Sequence, residues 1–171
     1  MSVNKDFQTE RIHLRKYTDD DRETVADFFT DADIGRYMGD GPSDTRKDAY
    51  TLFNKVLEIY GRENPSRHFE VWGIELDSDL IGHLELKSTV NTNKDELEVV
   101  YLLDKDYWGK GIMVEVLTAL QKHASNFQKK IIATVKEQNH NSIRVLEKIG
   151  IEKMSRLKDD KSVLKITLVS P

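Results

Sequence analysis

The stretch from Glu96 to Lys136 constrains the fold most, because two apolar runs of strand character enclose a helical pattern there. The first run is "ELEVVYLL" (Glu96–Leu103). The second is "KIIATVK" (Lys130–Lys136), nearly continuous in its apolar residues, as strands buried on both faces are. Between them Ile112, Val116, Leu117 and Leu120 recur at helical spacing, which predicts a helix from about Gly109 to Phe127. A strand–helix–strand crossover is the expected result, and such a crossover makes its two strands parallel.

The joint of this unit is "DYWGKGIMVEVL" (Asp106–Leu117). A helix start leaves its first N–H groups unpaired, and the macrodipole adds about half a positive charge there. A pyrophosphate fits such a place if the backbone can come close. Gly109 and Gly111 permit that approach, and Lys110 adds charge at the rim. The same glycines would equally serve a plain strand-to-helix turn. The G-x-x-x-x-G-K-[ST] phosphate loop is not matched.

The flanking sequence reads as further strands and helices. Ile12 and Leu14 alternate with polar residues in "ERIHLRKY" (Glu10–Tyr17), a strand. Thr18 then caps a helix with Asp21 in a capping-box role, and Val25, Phe28 and Phe29 form its apolar face. "IGRYMGDGPS" reads as loop. Ser43 is the expected cap of a second helix carrying Leu52, Val56, Ile59 and Tyr60, with Gly61 as its C-terminal glycine. "HFEVWGIEL" and "LIGHLELKSTV" bracket "DSD" as a hairpin. "NHNSIRVLEKIG" is a compact helix capped by Asn139 or Asn141 and stopped by Gly150, and "IEKMSRL" and "VLKITLVS" close the chain as a second hairpin. The expected architecture is one α/β (α+β) domain over residues 1–171, with a mainly antiparallel, twisted sheet flanked by helices.

Composition excludes several function classes. The chain has 171 residues and no cysteine, so disulfides, thiolate zinc sites and a cysteine nucleophile are absent. A net charge of −4 argues against nucleic acid as a partner. No apolar run reaches the roughly 18 residues of a membrane span, and the N-terminus has no apolar signal core, so a cytoplasmic protein is expected. The histidines His13, His68, His83, His123 and His140 are scattered without metal-ligand spacing, so no metal is expected. No G-x-S-x-G elbow marks a serine hydrolase.

The order of these elements, with "LEVVYLLDKDYWGKGIMVE", "NHNSIRVLEKIGI", "TERIHLRKYTDDD" and "LIGHLELK", resembles the GNAT superfamily of N-acetyltransferases over nearly the whole chain. The Rim-type branch, whose members acetylate ribosomal-protein N-termini and other amines, is the nearest in pattern. The resemblance implies the GNAT fold, acetyl-coenzyme A as co-substrate, and a small-molecule or peptide amine as acceptor: a protein N-terminus, a polyamine or another primary amine. It also implies frequent homodimers.

Carried over residue by residue, the resemblance assigns pyrophosphate binding to Gly109, Lys110, Gly111, Ile112, Met113 and Val114, with Trp108 just before them. Met113 stands where the family usually has Gly or Ala, and Trp108 would either touch the cofactor or pack in the core. The pantetheine arm would run along the backbone of Tyr101, Leu102 and Leu103, and the Leu103 amide would polarise the thioester carbonyl. Asn139 and Ser142 match the family's Asn-x-x-Ser and would touch the cofactor, cap their helix, or both. Glu98 is the first candidate for the base that deprotonates the amine and Glu85 the second, with a solvated strand face as the bland reading of each. His83 and His140 are candidate proton shuttles by type.

The chain departs from the family at two positions. Leu146 stands where many GNAT enzymes carry a tyrosine that protonates the thiolate, and Thr134 where some carry a glutamate. The first departure keeps open a binding module that holds an acyl-coenzyme A without turning it over. The family builds its acceptor pocket between about Thr18 and Arg67, where Asp31, Asp33, Asp40 and Asp44 would either attract a cation or form a solvated face.

Overall fold

The structure is a computed structural model that describes residues 5–38, 42–60 and 67–171. In chain order the elements are β1 (Phe7–Gln8), β2 (Ile12–Arg15), α1 (Arg22–Thr30), α2 (Ala32–Gly35), α3 (Arg46–Ile59), β3 (Phe69–Leu76), β4 (Asp79–Lys87), β5 (Glu96–Leu103), α4 (Ile112–Ser125), β6 (Lys130–Lys136), α5 (His140–Ile149), β7 (Ile151–Arg156) and β8 (Val163–Leu168). The strands form a mixed sheet flanked by helices, as expected. The chain divides into two compact units, Met1–Glu85 with Tyr101–Lys110, and Leu86–Val100 with Gly111–Pro171.

In the first unit the strand order is β1-β2-β3-β4. β2 is antiparallel to β3, with Leu14 opposite Ile74. Asp77 and Ser78 turn β3 into β4 with φ of 51° and 71°, the paired left-handed residues that a tight hairpin needs. Tyr17, Val25, Phe53 and Val71 make a buried cluster, which α1 and α3 cover. The Tyr60 hydroxyl accepts from the Tyr17 amide at 3.0 Å and donates to the Val71 carbonyl at 3.1 Å, so it joins α3 to both strand ends.

Thr18 and Asp21 meet as their spacing predicts: the Thr18 amide donates to the Asp21 carboxylate at 2.8 Å. Arg15 grips the same carboxylate with two bonds of 2.8 and 2.9 Å. Burial alone would raise the Asp21 pKa, but the Arg15 bonds and the Thr18 amide outweigh it and hold it below its ordinary 3.8. A depressed carboxylate stabilises the fold above its unfolded pKa and loses that contribution as pH falls through the folded one. Asp21→Asn should therefore lower Tm at neutral pH, and its gap from the wild type should shrink below about pH 3.8. A gap unchanged across an acid series of melts would contradict this.

Several local expectations are corrected. Thr45, not Ser43, caps α3: its hydroxyl oxygen accepts from the Asp48 amide at 3.2 Å and its hydroxyl donates to the Asp48 carboxylate at 2.6 Å. Ser43 instead donates its amide to the Phe29 carbonyl. The stretch read as loop from Ile34 begins inside α2, which Asp31 caps through the Asp33 and Ile34 amides. β1 was not foreseen; Phe7 is held edge-on against Trp72, with ring centroids 5.3 Å apart. Gly61 and Asp40 lie outside the described residues.

In the second unit the order is β5-β6-β8-β7. β5 and β6 are parallel, with Glu98 opposite Ile132, as the crossover requires. α4 packs on β6 and α5, and its Val116, Leu117 and Leu120 are fully buried. The helix begins at Ile112 rather than at about Gly109, because Gly109 and Gly111 both hold left-handed backbone. Among the described residues no helix is long and apolar enough to cross a membrane.

Candidate active site

The segment after β5 is built as a loop that keeps its own side chains out of the way. Gly109 and Gly111 each have φ of 74°, and a Cβ at either would meet nothing within 4 Å. The space over the loop is open. The first turn of α4 starts with the Glu115 amide donating to the Gly111 carbonyl, so the amides of Ile112, Met113 and Val114 precede the first helical bond. Gly111 provides no side-chain cap for them. Ile112 and Met113 bury their side chains, at 2% and 6% exposure, so the bulk of Met113 goes into the core. The residues present suit a pyrophosphate: an open backbone loop with a helix start as donor.

The flanks of the loop are fixed within the first unit. Trp108 is 44% exposed rather than a core residue, and its indole N–H donates to the Leu103 carbonyl at 2.8 Å. The Lys110 ammonium lies over the Tyr107 ring at 5.1 Å, while its carbonyl accepts from Arg11 at 3.2 Å. Lys105 reaches Asp31 at 2.8 Å and Asp33 at 3.3 Å. These bonds raise the Lys105 pKa and lower that of Asp31. Two of the acids considered for a cationic acceptor thus already face an internal cation.

Gly82 on β4 lies against the end of β5. A Cβ there would stand 2.5 Å from the Leu102 carbonyl oxygen and 3.1 Å from Ile74, while the Asp104 amide donates to the Ile81 carbonyl at 2.8 Å. Gly82→Ala is therefore expected to lower stability by about 1–3 kcal/mol, because the backbone must move to admit the methyl group. An unchanged urea midpoint would refute it.

The two carboxylates singled out in the sequence have different surroundings. Glu98 is 5% exposed, and its two oxygens accept from the Thr89 and Thr134 hydroxyls. Thr134, the position where some relatives in pattern carry a glutamate, thus serves here as a donor to one. The Glu85 side chain is 14% exposed; its Oε1 receives His83 Nε2 at 2.9 Å and its Oε2 is buried. His83 is 1% exposed, and its Nδ1 lies 2.8 Å from the Tyr17 hydroxyl. The sequence offered His83 only by type and missed Tyr17; no local pattern signals a contact between residues 66 positions apart.

In the second unit the Asn139 side chain accepts from the Ser142 amide at 3.2 Å, so this pair caps α5. Both residues remain partly accessible. Leu146 is fully buried and packs in the core.

Comparisons with known proteins add the following. Residues 11–152 match the family model described as an acetyltransferase (GNAT) domain. An uncharacterised N-acetyltransferase of Bacillus licheniformis, p20, is 25% identical over 153 residues, spanning 88% of this chain and 84% of that protein. The solved structure of a GNAT-family acetyltransferase from Bacillus anthracis has a TM-score of 0.75 at 23% identity, over 95% of this chain and 96% of that one. Spermidine N-acetyltransferase from Vibrio cholerae, solved with CoA and spermine, also has a TM-score of 0.75, at 16% identity over 95% and 97% of the two chains.

Proposed function

Because the chain belongs to the GNAT acetyltransferase family, we propose that it transfers an acetyl group from acetyl-coenzyme A to a primary amine by direct attack on the thioester. The observation that carries this reading is the open Gly109–Gly111 loop, whose two left-handed glycines leave the first amides of α4 accessible to a pyrophosphate. Acetyl-coenzyme A supplies the activated acyl group. Tyr101, Leu102 and Leu103 would hold the arm along the strand, and the Leu103 amide would receive the carbonyl oxygen. Trp108 donates to the Leu103 carbonyl, which lies in the next peptide after that amide. Asn139 and Ser142, partly accessible at the start of α5, would add contacts to the arm.

An amine attacks only when neutral, and a lysine-type amine has a pKa of about 10.4, so a base is needed. Glu85 suits the task better than Glu98. Both Glu98 oxygens are bound by threonine hydroxyls at 5% exposure, whereas the Glu85 side chain is 14% exposed and has an imidazole, that of His83, at its Oε1. Glu85 takes one proton from the ammonium and later releases it to solvent. The amine nitrogen then bonds to the acyl carbon, the carbon–sulfur bond breaks, and the thiolate takes the nitrogen's second departing proton. The acceptor is a protein N-terminus, a polyamine or another small amine. The Vibrio cholerae neighbour, named for spermidine, makes polyamines the first to try.

Calorimetry with acetyl-coenzyme A and coenzyme A, against ATP and NADH as controls, tests the loop. Free-thiol release with spermidine and with an unblocked peptide then tests transfer. A second reading rests on Leu146: with a buried leucine where many relatives have their acid, the fold could bind an acyl-coenzyme A as a sensor. Saturable binding without turnover would favour the sensor. Glu98→Gln separates the two acids. It should destabilise the protein by about 1–3 kcal/mol, since a part-buried threonine hydroxyl would lose its acceptor, yet leave kcat within a few-fold. A kcat collapse in that variant would return the base to Glu98.

A further inference from the structure

Behind Glu85 runs a hydrogen-bonded chain that begins at Tyr17, two residues after β2, and continues through His83 to Glu85 on β4. The Tyr17 hydroxyl meets His83 Nδ1 at 2.8 Å, and His83 Nε2 meets Glu85 at 2.9 Å. Tyr17 and His83 are buried, at 4% and 1% exposure, and the Glu85 side chain is 14% exposed with its Oε2 buried. The imidazole cannot rotate freely. Tyr17 stacks on it at 5.8 Å, and Phe29 of α1 meets it edge-on at 5.5 Å. Gly82, the residue before His83, lies against the Leu102 carbonyl.

We propose that Tyr17 and His83 are positioning residues for Glu85: Tyr17 selects the His83 tautomer that carries its proton on Nε2, and that N–H holds the Glu85 carboxylate in place for the acceptor amine. The proposal rests on the transferase reading above. Its logic is that of an orienting partner behind a proton acceptor. A neutral imidazole has one donor and one acceptor nitrogen, and the bond made by one sets the role of the other. Tyr17 remains protonated, because burial, with Tyr60, Asp21 and Glu85 nearby, holds its pKa well above the usual value against the opposing influence of Arg15. Its single hydroxyl proton has two acceptors in reach, His83 Nδ1 at 2.8 Å and the Gly82 carbonyl at 3.5 Å; the shorter contact assigns it to Nδ1, and Nε2–H is left to donate to Glu85. In the reverse tautomer Nε2 would turn a lone pair toward the carboxylate and release it.

The proposal makes the tyrosine and histidine interdependent in a way that packing does not. Tyr17→Phe should lower kcat at least tenfold with KM for acetyl-coenzyme A unchanged, because only the tautomer lock is removed. His83→Gln keeps an amide N–H where Nε2 stood and should retain more activity than His83→Leu. In the double variant, adding Tyr17→Phe to His83→Gln should cost no further kcat, since glutamine has no tautomer to select.

The assay uses the full chain with spermidine and an unblocked peptide as acceptors, alongside 15N NMR of the His83 ring. The expected spectrum has Nε2 protonated and Nδ1 bare in the wild type, and a tautomer mixture in Tyr17→Phe. A proton on Nδ1 in the neutral wild-type ring would overturn the proposal, even if the variants failed to fold. So would folded Tyr17→Phe with wild-type kcat. Either result in an active enzyme leaves the transferase reading standing. A wild type that releases no thiol with either amine, while showing the expected tautomer, refutes that reading and with it any positioning role.

Discussion

Replacing Gly111 by valine is expected to weaken acetyl-coenzyme A binding about a hundredfold, roughly 2.8 kcal/mol, in a protein that still folds. Gly111 holds φ of 74°, a conformation that costs a side-chain-bearing residue about 1–2 kcal/mol and a β-branched one most. The valine would meet no protein atom within 4 Å of its Cβ, so the substitution does not break the core. It would stand in the open space that a pyrophosphate needs, and the strain would push the first amides of α4 out of line. Gly109→Ala should act in the same direction through the same φ of 74°, with a smaller intrusion. Isothermal titration of the folded variant, checked by its circular dichroism, measures the effect. Unchanged affinity would reduce the loop to a strand-to-helix turn.

The second large effect is at Glu85. Glu85→Gln preserves shape and keeps an oxygen to accept from His83, but it cannot take a proton. If Glu85 deprotonates the amine, kcat should fall by about 10²- to 10⁴-fold, the usual contribution of a general base. Affinity for acetyl-coenzyme A should be unchanged, since the contacts proposed for it lie on the loop and the β5 backbone. Such a split, with kcat lost and cofactor binding kept, is the signature of an interaction made in the transition state. A Glu85→Gln enzyme with wild-type kcat in the thiol-release assay would refute the assignment.

How much of this was legible in the sequence varied with the range of the forces involved. β5 and β6 occupy the same spans, Glu96–Leu103 and Lys130–Lys136, that their apolar runs predict, because burial of such runs overrides local choice. The Thr18–Asp21 pair was legible, and the α5 cap was narrowed to Asn139 or Asn141, of which Asn139 is the one used, because capping depends on residues three apart. Ser43 was a misreading of the same kind of signal: two hydroxyl residues lie close together, and only Thr45 has an acid at the capping-box position that the helix start uses. β1, a strand of two residues, is too short to have a period, and it exists because Phe7 finds Trp72.

The site divides in the same way. The glycines of the loop, the run of amides at the start of α4 and the pair of acids could all be named from the sequence, since each is a property of a residue and its near neighbours. The sequence by itself thus determined the chain's class, the order of its longer strands and helices, and where a phosphate-binding loop could form. Tertiary structure alone decided what each acid became. Thr89 and Thr134 converge on Glu98, and Tyr17 reaches His83 across 66 residues. The physical reason is that backbone conformation and capping are settled within a turn or two of chain, whereas a side chain's hydrogen-bond partner is set by strand register and helix packing, which join residues distant in sequence.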